Sequence, residues 1–332
     1  MRRKIVLFLV IVGTAFYIRA YCKHGNLEYT YHPEDSAQTF EKFAERRINF
    51  SKAIGVGDEL TEKLTIHNPA KDGYAILYIH GFGASRAEGE AVGDDIAESL
   101  DANIYYARLP GHGSTAEAHA AATFDQYLQE MEATLLQMPK LGPKVILIGT
   151  STGALVATYL AARHSDKIHA VILASPFWDF GDKSARLLNF PGGLELGQLF
   201  LGKDRDARWK KDPEKRQHPD YYKYWLMKQK FAAVVNLNNL RRYVVKKDNI
   251  EKVAAPVLGL IYYQDSEHYD DAIDLKKVRN LFPLLGREKH PGGNAKNKLV
   301  EIADGSHILM SAYVRTDKAK IKAEILGWLK AL

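Results

Sequence analysis

Short apolar segments alternate with helix-like segments from residue 60 to the end of the chain, and this alternation constrains the fold more than any other feature. It is typical of βα units stacked into a mostly parallel sheet. Most of the apolar segments are continuous, which indicates strands covered by helices on both faces. The predicted strands are residues 60–66, 75–79, 104–107, 145–148, 171–174, 257–262 and 299–303, and the predicted helices are residues 96–100, 124–138, 154–163 and 316–332.

The alternation is interrupted between Pro176 and Pro256. This stretch is rich in aromatic residues and contains no convincing strand pattern. A segment of that length between two strands is typical of an inserted subdomain or lid. The sequence therefore predicts a core formed by residues 26–176 and 256–332, with a mostly helical lid at residues 177–255.

The most informative motif lies at residues 145–154, which read VILIGTSTGA. Gly149, Ser151 and Gly153 stand between an apolar strand and an Ala-rich helix. In that context a Gly-x-Ser-x-Gly motif predicts a sharp turn that exposes the serine hydroxyl above the sheet. The N-terminus of the following helix offers N–H groups to a developing negative charge. A plain strand-to-helix turn made of small residues is the alternative interpretation.

Other loops that follow predicted strands also carry reactive residues. Residues 80–83 read HGFG and residues 108–113 read RLPGHG, while Asp265 and His307 follow two later strands. Loops at the carboxyl ends of parallel strands meet at one edge of the sheet, where ligands bind. The order serine, aspartate, histidine along the chain is the order expected of a hydrolase with a nucleophile elbow.

Together these motifs resemble the α/β-hydrolase superfamily, in its group of monoacylglycerol lipases, carboxylesterases and serine aminopeptidases (S33-like). The resemblance covers residues 60–330 and rests on HGFG at 80–83, LPGHG at 109–113, the Gly-x-Ser-x-Gly motif and Gly-Ser-His at 305–307. It implies an α/β-hydrolase fold with a mostly parallel sheet of the eight-stranded type, helices on both faces and an inserted helical lid.

The resemblance also implies a catalytic triad of Ser151, Asp265 and His307 that works through an acyl-enzyme. The residues after Asp265 depart from the family pattern, because Ser-Glu-His-Tyr stands where an apolar pair and a proline are usual. Asp270 and Asp271 are therefore alternative candidates for the acid.

The backbone N–H groups of Phe82 and Thr152 would form the oxyanion hole of such an enzyme. The aromatic side chains of Phe82, Phe177, Trp178 and Trp225 are candidates for an apolar acyl pocket. The function predicted is hydrolysis of carboxylic esters, with lipid-like monoesters such as monoacylglycerol or lysophospholipid favoured. An aminopeptidase or amidase of the same fold is the alternative, followed by a non-catalytic ligand-binding homologue. This chemistry needs no cofactor, and the sequence shows no metal-ligand spacing.

The basic charge of the chain is concentrated at its beginning. The formal net charge is +6, and five basic residues but no acidic residue precede Glu28. The remainder is nearly neutral, so the sequence does not favour a nucleic-acid partner. An uncharged apolar run at residues 5–18 follows the first basic cluster, as in a signal peptide or an N-terminal anchor. Residues 1–25 are predicted to be such a segment, which would make the protein exported or membrane-anchored, on the periplasmic side in a bacterium.

Overall fold

The computed structural model describes residues 12–14, 27–33, 39–207 and 218–332. The predicted signal peptide or anchor lies outside the described residues, apart from residues 12–14, and stays a prediction. Within the described ranges, no helix is long and apolar enough to cross a membrane.

The centre of the molecule is a largely parallel sheet. The described residues contain nine strands: β1 (Lys63–Thr65), β2 (Tyr74–Ile79), β3 (Asn103–Ala107), β4 (Lys144–Thr150), β5 (Ala170–Ala174), β6 (Asp204–Asp206), β7 (Lys228–Lys230), β8 (Val257–Tyr262) and β9 (Lys298–Ile302). Seven of them form the central sheet in the order β1-β3-β2-β4-β5-β8-β9, and β6 pairs with β7 separately. Only β1 runs antiparallel to its neighbour in the central sheet. The predicted architecture is confirmed, with seven strands described where the eight-stranded type was expected.

Helices connect most of these strands. The α-helices of the described residues are α1 (Phe40–Ala53), α2 (Glu90–Ser99), α3 (Ala116–Ala121), α4 (Phe124–Gln137), α5 (Thr152–Arg163), α6 (Gly193–Leu201), α7 (Phe231–Val244), α8 (Lys247–Glu251), α9 (Leu275–Leu281) and α10 (Lys318–Lys330). Short 3₁₀ helices lie at Asp58–Leu60, Arg86–Glu88, Met138–Lys140, Ser165–Lys167, Lys183–Asn189, Pro219–Lys223 and Phe282–Leu284.

Alternate residues of the central strands face opposite sides of the sheet, and both sides are covered. In β2, Leu77 and Ile79 pack into the core layer that contains α4 and α5, whereas Ile76 and Tyr78 pack into the layer that contains α2 and α10. All four side chains are fully buried. Burying an aliphatic side chain of this size contributes ~1.5–3 kcal/mol, so both layers stabilise the strands that end at the candidate site.

The insert (residues 177–255) joins β5 to β8 and contains more than helices. Its β6 and β7 form a two-stranded antiparallel ribbon in which Asp204 pairs with Lys230. The sequence predicted no strand in this segment, and that expectation is wrong. Each strand is only three residues long, which is too short to produce a detectable hydrophobic alternation. The insert also contributes α7, which packs against α5 directly behind the candidate nucleophile.

Candidate active site

Ser151 occupies a strained turn between β4 and α5. Its backbone φ is +54°, a left-handed conformation that costs a residue with a side chain ~1–3 kcal/mol. Small neighbours make the turn possible. A Cβ atom on Gly149 would lie 2.5 Å from the Gly153 carbonyl oxygen, and one on Gly153 would lie 1.9 Å from the Ile79 carbonyl oxygen. The sharp turn expected of the Gly-x-Ser-x-Gly motif is therefore present.

His307 bridges the serine and a buried carboxylate. Its Nε2 lies 2.9 Å from Ser151 Oγ, and its Nδ1 lies 2.8 Å from Asp270 Oδ2 and 3.0 Å from Asp270 Oδ1. The loop that carries His307 is fixed by Ser175, whose hydroxyl donates to the His307 carbonyl at 2.7 Å. Ser175 directly follows β5 and also has a positive φ, +46°. Ser151 and Asp270, on the loops after β4 and β8, thus contact the imidazole from its two nitrogens, and Ser175 holds the backbone that carries it.

The prediction that Asp265 is the acid is wrong. Its side chain is 48% exposed, and its Oδ1 lies 2.9 Å from Nδ1 of His268. The reason lies in the loop after β8, where Tyr263 and Tyr269 pair as an isolated β-bridge. This bridge places Asp265 in a projecting turn and returns the chain to the sheet. Asp270, the next residue, is buried and contacts His307.

Opposing effects determine the pKa of His307. Burial lowers the pKa of His307, but the neighbouring Asp270 carboxylate outweighs this effect, with smaller contributions from Glu88 and Asp271. The pKa of His307 is consequently above its ordinary value. Asp270 thus both orients the ring and stabilises its protonated form, which are the two properties needed of the carboxylate beside a general base.

Phe82 and Thr152, the predicted oxyanion-hole residues, lie on two loops beside Ser151. Thr152 is the first residue of α5, so its N–H has no acceptor within the helix. The Gly81 carbonyl accepts a hydrogen bond from His80 Nδ1 at 2.9 Å. Because the peptide unit is planar and trans, the Phe82 N–H points away from His80.

The site opens into a cleft of about 140 Å³ between the core and the insert. Three of the predicted substrate-binding residues, Phe82, Phe177 and Trp225, line it. Trp178 does not, and its prediction is wrong: the side chain is fully buried and its Nε1 donates to Thr158 Oγ1 at 3.1 Å. The lining residues are Phe82, Glu88, Ser151, Phe177, Phe180, Arg205, Ala207, Trp225, Gln229, Leu237, Ala272, His307 and Ile308.

Three polar residues of this cleft, Glu88, Arg205 and Gln229, were not predicted from the sequence. Arg205 and Gln229 lie on β6 and β7, the ribbon that no pattern indicated. The place of Glu88 at the site could have been predicted, because it follows β2 in the loop that leads to α2. In a parallel sheet such a loop lies at the ligand-binding edge.

A cluster of three histidines lies behind Phe82. The rings of His80 and His112 are 4.9 Å apart, and those of His112 and His119 are 4.5 Å apart. Burial lowers the pKa of His80 and His119 to about 4, and that of His112 also falls well below its usual value. Within the part of the chain that the structure describes, no three His, Cys, Asp or Glu side chains are arranged to hold a metal ion. Because burial lowers their pKa, these histidines are neutral core residues at pH 7.

Residues 76–316 match the model of the Alpha/beta hydrolase family. The chain belongs to the alpha/beta hydrolase family. This alpha/beta hydrolase is 31% identical over 101 residues to a pimeloyl-[acyl-carrier protein] methyl ester esterase of Vibrio cholerae, covering 30% of the chain and 36% of that protein. It is 36% identical over 130 residues to the protein of the same name from Neisseria meningitidis, covering 37% and 36%. The alignments span about a third of these curated relatives.

Solved structures show the same fold in this alpha/beta hydrolase. A metagenome-derived lipolytic enzyme superposes with a TM-score of 0.66 at 14% identity, covering 83% of this chain and 100% of the other. A soluble variant of monoglyceride lipase from Saccharomyces cerevisiae gives 0.59 at 16% identity, covering 82% and 90%. At such low identity the likeness concerns the fold alone.

Proposed function

We propose that this alpha/beta hydrolase is a serine hydrolase that cleaves carboxylic esters, with Ser151 as nucleophile, His307 as general base and Asp270 as the triad acid. The observation that carries the proposal is the position of His307, with 2.9 Å to Ser151 Oγ on one side and 2.8 Å to Asp270 Oδ2 on the other. The names of the relatives, methyl ester esterases and lipases, support an ester substrate.

Acylation begins when His307 Nε2 accepts the proton of Ser151 Oγ and the oxygen attacks the ester carbonyl carbon. The electron pair of the C=O bond moves to oxygen, where the N–H groups of Phe82 and Thr152 stabilise it. Asp270 stabilises the imidazolium formed on His307. Collapse of the tetrahedral species breaks the bond to the leaving oxygen, which takes the proton from His307 and departs as an alcohol.

Deacylation repeats the sequence with water. His307 accepts a proton from a water molecule, and the resulting oxygen attacks the acyl carbon of the serine ester. The second tetrahedral species expels Ser151 Oγ, which recovers its proton from His307. The products are a carboxylic acid and the regenerated enzyme, without a net change in protonation of the triad.

The wall of the cleft supports an apolar acyl group. Phe82, Phe177, Phe180 and Trp225 contribute four aromatic side chains around Ser151. Trp225 is itself held by stacking on Tyr221, with ring centroids 4.1 Å apart and planes 10° apart. Lipid-like monoesters suit such a cleft, and the insert that supplies Trp225 would act as the lid. Export or membrane anchoring through residues 1–25 belongs to the same proposal.

The test is a panel of p-nitrophenyl esters of increasing acyl length, with aminoacyl-nitroanilides alongside, for the wild type and Ser151→Ala. We expect ester turnover in the wild type and a loss of at least about 10³-fold in kcat for the variant. Retained turnover in Ser151→Ala would refute the mechanism. Turnover of nitroanilides without turnover of esters would favour the peptidase alternative.

A further inference from the structure

Glu88 is a buried carboxyl group in the wall of the cleft, and the mechanism above does not use it. Glu88 is only 2% exposed. Its hydrogen-bond partners among the described residues are the backbone N–H of Gly81 and the hydroxyl of Tyr78, and neither of them carries a positive charge. A buried carboxylate without a cationic hydrogen-bond partner is costly. Its position beside Ser151 therefore calls for a role in the site.

The geometry around Gly81 indicates that role. The Gly81 N–H donates to Glu88 Oε2 at 2.5 Å. A Cβ atom built on Gly81 would lie 2.8 Å from Glu88 Oε1 and 3.2 Å from Ser151 Cβ. The Gly81 backbone is thus enclosed between the Glu88 carboxyl group and the candidate nucleophile, with no space for a side chain.

The same glycine is also held from its carbonyl side. His80 Nδ1 donates to the Gly81 carbonyl, while His80 Nε2 accepts from the Leu109 N–H at 3.1 Å. The Gly81 carbonyl and the Phe82 N–H belong to one planar peptide unit, so fixing the first fixes the direction of the second. Glu88 fixes the preceding N–H, and the two contacts leave Gly81 little freedom of rotation although glycine is intrinsically permissive.

We propose that Glu88 is a positioning residue of the oxyanion loop: its carboxyl group holds the Gly81 N–H and thereby orients the Phe82 N–H toward the substrate carbonyl. This inference rests on the proposed function, because an oxyanion forms only if the site performs acyl transfer. It adds a requirement for a carboxyl group outside the Ser151, His307 and Asp270 triad.

The charge of Glu88 gives the proposal a measurable signature. Burial raises the pKa of Glu88 to about 7. The groups that face it are Tyr78 from β2, His307 from the loop after β9 and Tyr221 from the insert, and Arg205 lines the same cleft. The negative charge of ionised Glu88 raises the pKa of His307. Removing that charge should therefore lower the pKa of His307 and extend activity to lower pH.

The experiment compares Glu88→Gln, Glu88→Ala and a matched control, Glu132→Gln, in the full-length chain. Glu132 is equally buried, but its carboxylate bonds His164, Tyr29 and Tyr159 away from the cleft. For each variant, kcat and KM for one p-nitrophenyl ester are measured across pH 5 to 9, per active site titrated with a fluorophosphonate.

We expect Glu88→Ala to lose about 10- to 100-fold in kcat with little change in KM. The Phe82 N–H is needed mainly in the transition state, and this variant no longer holds it in place. Glu88→Gln retains an acceptor oxygen and should recover most of that loss. Its acid limb of kcat/KM should nevertheless lie at lower pH than in the wild type. Glu132→Gln should leave both kcat and the pH profile unchanged.

The proposal is overturned if Glu88→Ala keeps the wild-type kcat per titrated site, whether or not Glu88→Gln shifts the pH profile, because that shift reports only the charge of Glu88. It is also overturned if Glu132→Gln shifts the profile as Glu88→Gln does, because the effect would then reflect general loss of buried charge. If Glu88→Ala does not fold, Glu88→Leu, which fills more of the space but also lacks an acceptor for the Gly81 N–H, replaces it. Failure of the proposed function is recognised separately, by absence of ester turnover in the wild type.

Discussion

Asp270 Oδ2 lies 2.8 Å from His307 Nδ1, whereas Asp265, five residues earlier, pairs with His268 on the surface. We therefore expect Asp270→Asn to reduce kcat by about 10⁴-fold, because the amide favours the wrong tautomer of the ring and cannot stabilise the imidazolium. Asp265→Asn should leave kcat unchanged, and Asp271→Asn should have a small effect through the charge felt by His307. Ester hydrolysis at saturating substrate measures all three. A larger loss in Asp265→Asn than in Asp270→Asn would contradict the assignment.

Trp225 and Trp178 provide a test of the cleft wall. Trp225 lines the cleft, so Trp225→Ala should raise KM for long-chain esters more than for acetate. Trp178 is buried behind the site and donates to Thr158, so Trp178→Phe should lower the free energy of unfolding by about 1–3 kcal/mol and leave KM unchanged. Chain-length series and urea unfolding separate the two effects. Equal changes in KM for both variants would show that Trp225 does not contact the acyl group.

Gly153 is the position in the turn with the least space for a side chain. A Cβ atom there would lie 1.9 Å from the Ile79 carbonyl oxygen and 2.7 Å from that of His80. Gly153→Ala must push β2 away from α5, so we expect a loss of stability of about 3 kcal/mol or more. Gly327→Ala in α10 is the control, because its Cβ would lie more than 4 Å from the atoms of the described residues that could obstruct it. There the change should stabilise the protein by about 0.5–1 kcal/mol. Thermal unfolding of the two variants checks the contrast.

The buried histidines predict a loss of stability in acid. The pKa of His80 and of His119 is about 4 in the folded protein, because burial disfavours the charged ring, and about 6.5 when unfolded. Between these values the unfolded chain binds protons that the folded chain does not. Stability should therefore be independent of these groups above pH 6.5 and fall as the pH drops from 6.5 to 4.

A variant isolates the contribution of His119, since neither of its ring nitrogens has a hydrogen-bond partner among the described residues. His119→Phe should reduce the loss of unfolding free energy between pH 6.5 and 4 by on the order of 3 kcal/mol. His268→Gln, at an exposed position, serves as the control and should leave the slope unchanged. Urea unfolding at half-unit pH steps gives both slopes, and a wild-type slope in His119→Phe would rule out this explanation.

The sequence predicted the sheet and the sharp turn at Ser151 because both depend on local patterns. Val257–Tyr262 was predicted with its observed bounds, since a buried strand between two turn regions needs only its own residues to be recognised. Ser151 was found because its turn requires small residues at 149 and 153. In both cases the signal is contained in fewer than about ten consecutive residues.

The errors concern residues whose position depends on distant contacts. Asp265 is the first acid after β8, and only the bridge between Tyr263 and Tyr269 shows that the chain turns away and returns before Asp270. Phe177 and Trp178 are adjacent aromatic residues, yet one lines the cleft and the other packs on Thr158. Aromatic composition could not distinguish them, because it does not specify the direction of a side chain.

The insert leaves the sheet after Ala174 and returns at Val257, and these belong to adjacent strands, β5 and β8. The two ends of this segment, residues 175–256, are therefore anchored side by side. Replacing it with a segment of another length requires no rearrangement of strand order and adds only a small loop-closure entropy. The chemical groups Ser151, Asp270 and His307 all lie outside the exchanged segment. The residues that the insert contributes to the cleft can therefore change without altering the strands that position Ser151, Asp270 and His307.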